Sequence, residues 1–299
     1  MKKFVIVSDS CCDLDKELRE RFDIEYLPMY VNYKGAEHVA DLDWGEITPK
    51  QYYDMIRDGE RIKTAQVTGV SYKEAFEKYI NDGCDVLSIS CSSALSASVN
   101  ASYKVRDELK EKYPDSKIIC IDSVNACFGL GLLCIRASEL RTEGKSIEEV
   151  AEWIMANRKT VNQECTVENL KYLKQSGRVS AASAFFGGIL SVKPIIISDV
   201  KGQNTAVMKV KGRKNSIDKI FERFTQEYID FNFQRVCVTH ADCEEEALEL
   251  KARIEQFLGD KNVEVHFTNL GPIISSTTGP GTLAVYFYGK EVTYDHTAK

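Results

Sequence analysis

Residues 85–123 read DVLSISCSSALSASVNASYKVRDELKEKYPDSKIICIDS, and this stretch decides the fold. Asp85-Val-Leu-Ser-Ile-Ser90 and Lys117-Ile-Ile-Cys-Ile121 are short apolar runs with the look of strands. Leu95 to Glu111 between them reads as a helix. A strand, a helix and a strand of these lengths form a βαβ unit, which lays the two strands parallel in one sheet. Working outward, Phe4-Val-Ile-Val7 predicts another strand and Leu14 to Phe22 a charged amphipathic helix. Ile24 to Val31 reads as one further strand. Thr48-Pro49 starts a helix with a hydroxyl cap and a proline in the first turn. Val124 to Thr142 and Ile147 to Thr160 are helices, the second capped by Ser146.

Beyond residue 160 the texture changes. A helix-like run, Val167 to Gln175, leads into the small-residue segment Gly177 to Gly188. Val192 to Ser198 and Asn204 to Val210 are β-rich runs joined by Asp199-Val-Lys-Gly202, close enough to pair antiparallel. Helix Ser216 to Tyr228, strand Arg235 to Thr239, helix Glu244 to Phe257 and strands Val263 to Phe267 and Leu283 to Tyr288 follow. Gly279-Pro-Gly281 reads as a tight turn into the last strand. The prediction is a two-domain α/β chain. Residues 1–160 form a mostly parallel sheet with flanking helices, and residues 161–299 a mixed α/β domain.

Composition narrows the function. The chain has 299 residues, 43% apolar and 28% charged, near the globular average. The apolar stretch Phe128 to Ile135 is far short of the roughly 20 residues a membrane span needs. Only four apolar residues follow Lys2-Lys3, where a secretory core needs about 7–15, so a cytosolic protein without stable membrane insertion is expected. A net charge of −6 argues against nucleic acid as the main partner. The ten cysteines sit mostly in apolar runs and form no C-x-x-C pair, which suits buried thiols. Gly144-Lys-Ser146 is no P-loop, because Glu139 stands in place of the first glycine. Cys237, His240, Asp242 and Cys243 make a metal-like cluster with no second half, so no metal and no cofactor are expected.

Three predicted strands end in small polar residues: Ser8-Asp-Ser10, Ser90-Cys-Ser-Ser93 and Asp122-Ser123. Ligands of open α/β sheets bind at such carboxyl ends, near helix N-termini. Helix capping is the alternative for each strand taken singly, and convergence of all three leaves capping and a ligand site evenly matched. Thr64, in Lys63-Thr-Ala-Gln-Val-Thr-Gly69, and Ser96, in Ser92-Ser-Ala-Leu-Ser-Ala-Ser98, offer hydroxyls without charge. Ala181 to Leu190 combines small residues with Phe185 and Phe186. Such a segment can border an apolar cavity or allow close helix-to-sheet packing.

In order and spacing, these segments resemble the DegV family along essentially the whole chain. The resemblance rests on Ser8-Asp-Ser10 with Asp13-Leu14, Lys63-Thr-Ala-Gln66, Ser92 to Ser98, and Asp122-Ser123 with Gly129 and Gly131. It continues through Asn169-Leu-Lys-Tyr-Leu173 with Gly177-Arg178, Val192-Lys-Pro194, and Gly271-Pro-Ile-Ile with Gly279-Pro-Gly281. It implies a two-domain protein that binds one long-chain fatty acid, such as palmitate, stearate or oleate, between its domains. It also implies that Thr64 and Ser96 hold the carboxylate, and that a separate fatty acid kinase receives the acid for acyl-phosphate formation in phospholipid synthesis. Arg178 stands at a family arginine tied to phosphotransfer or kinase docking. Arg213, in the basic run 209–214, is a second docking candidate. Three positions depart from the family: Val67 replaces proline, Ala97 glycine and Thr277 histidine.

A tail of about 14 methylenes at about 0.8 kcal/mol each carries roughly 11 kcal/mol of gross transfer free energy. The tail therefore drives binding and the head group sets orientation. On this reading the chain is a carrier without turnover, with Phe185, Phe186 and Ile189 bordering the tail. The alternative is a hydrolase or phosphotransferase using Ser10 or Ser93 with Asp9 or Asp122. It lacks a histidine beside any of these loops. A third reading is an interaction module acting through the run 209–214.

Overall fold

A computed structural model describes residues 3–45, 47–180 and 192–298. Strands β1 (Phe4–Asp9), β2 (Ile24–Leu27), β6 (Asp85–Ser90) and β7 (Ile118–Asp122) form a parallel sheet in the order β2-β1-β6-β7. Helices α1 (Lys16–Phe22), α3 (Gly69–Asn81), α4 (Ser98–Lys112), α5 (Cys127–Thr142) and α6 (Ile147–Asn157) supply its crossovers and flanks. The predicted single strand Ile24 to Val31 is two strands. Pro28 lacks the N–H that a continued ladder needs. β2 therefore ends at Leu27, and β3 (Tyr30–Tyr33) leaves for a separate antiparallel sheet with β4 (Ala36–Val39) and β5 (Lys63–Ala65), in the order β4-β3-β5. Helix α2 (Pro49–Arg57) lies between β4 and β5 and opens with a full Thr48–Gln51 capping box.

The other large sheet has seven strands in the order β13-β12-β14-β8-β10-β11-β9. These are β8 (Val161–Thr166), β9 (Val179–Ser180), β10 (Val192–Ser198), β11 (Asn204–Lys211), β12 (Arg235–His240), β13 (Glu264–Asn269) and β14 (Leu283–Tyr288). β10 and β11 pair antiparallel, as their spacing predicts. β14 shows how the sheet is packed. Leu283, Val285 and Phe287 face a core with helices α8 (Arg213–Glu227) and α9 (Glu244–Leu258), while Ala284, Tyr286 and Tyr288 join the core shared with the parallel sheet. This is the period-two alternation of a strand buried on both faces. α5 lies in that shared core and is buried on nearly every side. Gly131 makes its close approach possible, since a Cβ there would lie 2.7 Å from the Cys12 carbonyl oxygen.

β8 and the helix Pro272–Thr278 are among the elements that differ from expectation. β8 falls in a stretch with no strand pattern, because Asn162, Gln163 and Glu164 are polar. All three are buried yet bonded: Glu164 to Arg223 at 2.6 Å, Asn162 to the Thr160 and Lys290 carbonyls, Gln163 to Tyr286 and Asn204. Burial pushes the Glu164 carboxyl up to about 7, while Arg223 pulls it back. α10 (Pro272–Thr278) falls in a stretch that reads as a loop. Its hydroxyls are satisfied within the helix, Thr277 bonding the Ile273 carbonyl at 3.1 Å and Thr278 that of Ile274 at 3.0 Å, while packing against α2 and the helix of residues 170–176 holds it. α7 (Leu170–Ser176) completes the helices. Among the described residues, no helix is long and apolar enough to cross a membrane.

Candidate functional site

Chain order reverses between β1 and β6, so the crevice at their carboxyl ends is where an open α/β sheet takes a ligand. Asp9 fixes both loops there. Its carboxylate accepts from the Cys11 N–H at 3.0 Å and the Cys91 N–H at 2.9 Å. Burial raises its pKa to about 6, and those two backbone bonds pull against the rise. Ser10 is also occupied: it donates to the Ala40 carbonyl at 2.8 Å and accepts from the Met29 N–H at 2.9 Å. Deeper, Asp13 accepts from the Cys127 thiol at 3.0 Å. Burial lifts the Asp13 carboxyl to about 7, against the pull of Cys127 and the Gly271 N–H.

Over these loops opens a cavity of about 590 Å³, within the usual size range for a small-molecule site. Cys11, Met29, Cys91, Leu95, Ala126, Ile273 and Ile274 supply its apolar wall. Thr64 and Ser96 both line it, from separate loops. Ser98 ties those loops together: its hydroxyl meets Ser96 Oγ at 3.0 Å and accepts from the Val67 N–H at 3.2 Å. The Thr64 hydroxyl has no partner among the described residues. Ala97, at the N-cap of α4, makes no side-chain bond; Ser96 Oγ accepts from the Ser98 N–H at 3.3 Å, which sets Ser96 at the positive end of this 15-residue helix. The Cys11 thiol is held well above its ordinary range by the neighbouring Cys91 thiol and by burial. The wall thus offers hydroxyls, neutral thiols and one helix end, with no buried cation.

The model described as "Uncharacterised protein, DegV family" matches residues 3–290. The chain belongs to the DegV family. A DegV domain-containing protein of Clostridium perfringens is 38% identical over 289 residues, covering 97% of this chain and 98% of the relative. A fatty acid-binding DegV family structure from Thermus thermophilus superposes with a TM-score of 0.83 at 28% identity, covering 97% of this chain and 100% of that one. A stearic acid-binding protein from Eubacterium ventriosum gives 0.84 at 26% identity, covering 96% and 98%.

In this DegV chain the cavity mouth leads to a polar vestibule of about 260 Å³ that shares Thr64, Arg178 and Thr277 with it and adds Arg61 and Lys63. Arg178 is exposed there and donates to the Ser176 carbonyl at 2.7 Å. Arg213 is not brought to this mouth. It lies in a separate cleft, paired with Glu246 at 2.6 Å. Phe185, Phe186 and Ile189 lie outside the described residues. Ser93 lines the cavity and its N–H bonds Asp122 at 3.2 Å, but no described histidine lines that cavity. Among the described residues, Asp199, Asp295 and His296 are the group whose ligand atoms come within 4.8 Å of one another. Asp199 there closes its own turn through the Lys201 and Gln203 N–H groups, both at 2.9 Å.

Sequence reasoning missed Met29, Asn204, Ile273 and Ile274 as cavity residues. A methionine after a proline and two isoleucines in an apparent loop carry no signal alone. The β10–β11 spacing was legible, but not that β11 would begin at the cavity wall.

Proposed function

We propose that this protein binds one long-chain fatty acid, with the carboxylate at Thr64 and Ser96 and the tail directed inward past Ala126. The observation that carries this reading is the meeting of two uncharged hydroxyls and a helix N-terminus on the wall of a cavity that also presents apolar side chains. A buried carboxylate needs hydrogen bonds rather than a fixed counter-ion, and these donors supply them. The fatty acid-binding relatives support it. We read residues 1–160 and 161–299 as two domains that enclose the ligand.

The carrier presents its carboxylate through the vestibule to a fatty acid kinase, with Arg178, Arg61 and Lys63 favouring an approaching phosphoryl group. Thr277 bonds its own helix and gives that step no imidazole. Ser10, committed to two backbone groups, is a poor nucleophile for the alternative enzyme reading. Denaturing extraction of the purified protein followed by mass spectrometry tests the binding. A stoichiometric long-chain acid is the expected result; no extracted acid and no uptake of added stearate overturn it.

A further inference from the structure

Behind the main cavity lies a niche of about 20 Å³ that shares Ala126, Asn204, Ile274 and Thr278 with it. One water-sized group needs roughly 10–15 Å³. The niche therefore takes a single such group. An alkyl tail calls for an apolar lining, and Val179 and Ile196 provide part of one. Ala126, Cys127, Cys165, Leu270, Ile274 and Ala284 continue it, and one directed polar chain crosses this mostly apolar wall. The Tyr286 hydroxyl donates to Gln163 Oε1 at 3.2 Å, and Gln163 Nε2 donates to Asn204 Oδ1 at 3.1 Å. Tyr286 and Gln163 are buried. This direction leaves Asn204 Nδ2 as the free end, with two N–H donors and no acceptor among the described residues. Asn204 sits where the cavity meets the niche, its backbone fixed in register opposite Ser198 and Val179.

A plain methylene chain passing Asn204 would leave those donors unmet, which is unfavourable away from water. An oxygen on the chain would meet them. We propose that the cavity selects long-chain fatty acids bearing an in-chain oxygen, as a hydroxyl or keto group, that accepts from Asn204 Nδ2. A hydroxyl can also donate to Thr278 Oγ1, whose own proton is given to the Ile274 carbonyl. The inference rests on the fatty acid reading above and narrows its substrate class.

The test is competitive binding of stearate against a series of hydroxystearates with the hydroxyl moved along the chain. One positional window is expected to bind at least tenfold more tightly than stearate. Asn204→Leu is expected to reverse the order, weakening that isomer and strengthening stearate, so that the ratio falls below one. If stearate binds and no isomer exceeds it, the niche holds only a water and the inference is overturned alone. A preference that survives Asn204→Leu also overturns it. If neither acid binds, the fatty acid reading falls with it. The positional series needs only the unaltered protein, so a poorly folding variant does not shield the proposal.

Discussion

Two hollows of this molecule use polar groups in opposite ways. The outer cleft, about 830 Å³, is bordered by Lys50, Arg57, Glu168, Arg213, Asp242 and Glu246. Its charges answer one another: Arg57 reaches Asp242 at 2.8 Å and Glu168 at 3.2 Å, and Arg213 reaches Glu246. The smaller cavity holds hydroxyls, thiols and the Gln66 and Asn204 amides, with the exposed Arg178 at its mouth and with Thr64 and Asn204 Nδ2 unpaired among the described residues. Size therefore does not mark the site. The proposed site is the hollow whose unmet donors are neutral; in the outer cleft the charges are largely spent on one another, with Arg213 Nη1 the buried donor left without a partner among the described residues.

The neutrality of the inner region is its most exposed claim. Asp9, Asp13 and Glu164 have folded pKa values raised to about 6, 7 and 7. Between pH 4 and 7, roughly, the folded protein keeps protons that the unfolded chain has lost, so stability falls as pH rises through this range. For Asp13, raised from 3.8 to about 7, the effect is on the order of 4 kcal/mol. Denaturant midpoints should drop from pH 5 to pH 8, and Asp13→Asn should flatten the slope. Asparagine tolerates the left-handed backbone there, φ 48°. A midpoint that rises over that range would show the acids to be charged and well solvated by donors.

The seam between the two sheets gives the next largest effect. Gly202, in the turn after β10, has φ 75°, and a Cβ there would lie 2.3 Å from Ser92 Oγ and 2.7 Å from Val124 Cα. Gly202→Ala combines left-handed strain with overpacking and should cost about 3 kcal/mol. Thermal unfolding measures it. Loss of stearate binding in the folded fraction would show that the seam also sets the head-group loops.

Much of this organisation was legible. The βαβ spacing of residues 85–121 determined the parallel sheet, and Ser92 to Ser98 marked one wall of the cavity. What escaped was settled by tertiary partners. Asn162, Gln163 and Glu164 look like a loop until Arg223, Tyr286 and two carbonyls bury them in β8. Ile273 to Thr278 lacks helix propensity and is held helical by packing against α7 and α2. Thr64 was legible as a hydroxyl in a loop, while β5, which aligns it opposite Val31, was too short to read.

The proposed carboxylate contacts come next in size. A hydrogen bond to a charged group contributes about 1.5–3 kcal/mol, so Thr64→Ala or Ser96→Ala should weaken stearate roughly 10- to 100-fold. Thr64→Ser, which keeps the hydroxyl, should restore most of that. Titration with stearate at fixed ionic strength decides. Losses below threefold in both alanine variants would move the head group elsewhere on the wall.

The smallest effect is expected in the outer cleft, and it tests the comparison from the other side. Arg57 is about one-third exposed in its pair with Asp242. Such partly exposed pairs contribute about 0–1 kcal/mol and weaken with salt. Arg57→Gln should therefore shift unfolding slightly and leave stearate affinity alone. There is a physical route by which it could do otherwise. α2 carries Arg57, and from the same helix Tyr53 donates to the Leu270 carbonyl at 2.7 Å and Tyr52 to that of Pro272 at 3.1 Å. Those bonds hold α10, whose Ile273 and Ile274 line the smaller cavity. If Arg57→Gln weakened stearate as much as Thr64→Ala does, the ion pairs would be bracing the cavity through α2 and α10. The two hollows would then be one coupled device rather than a site and a self-neutralised surface.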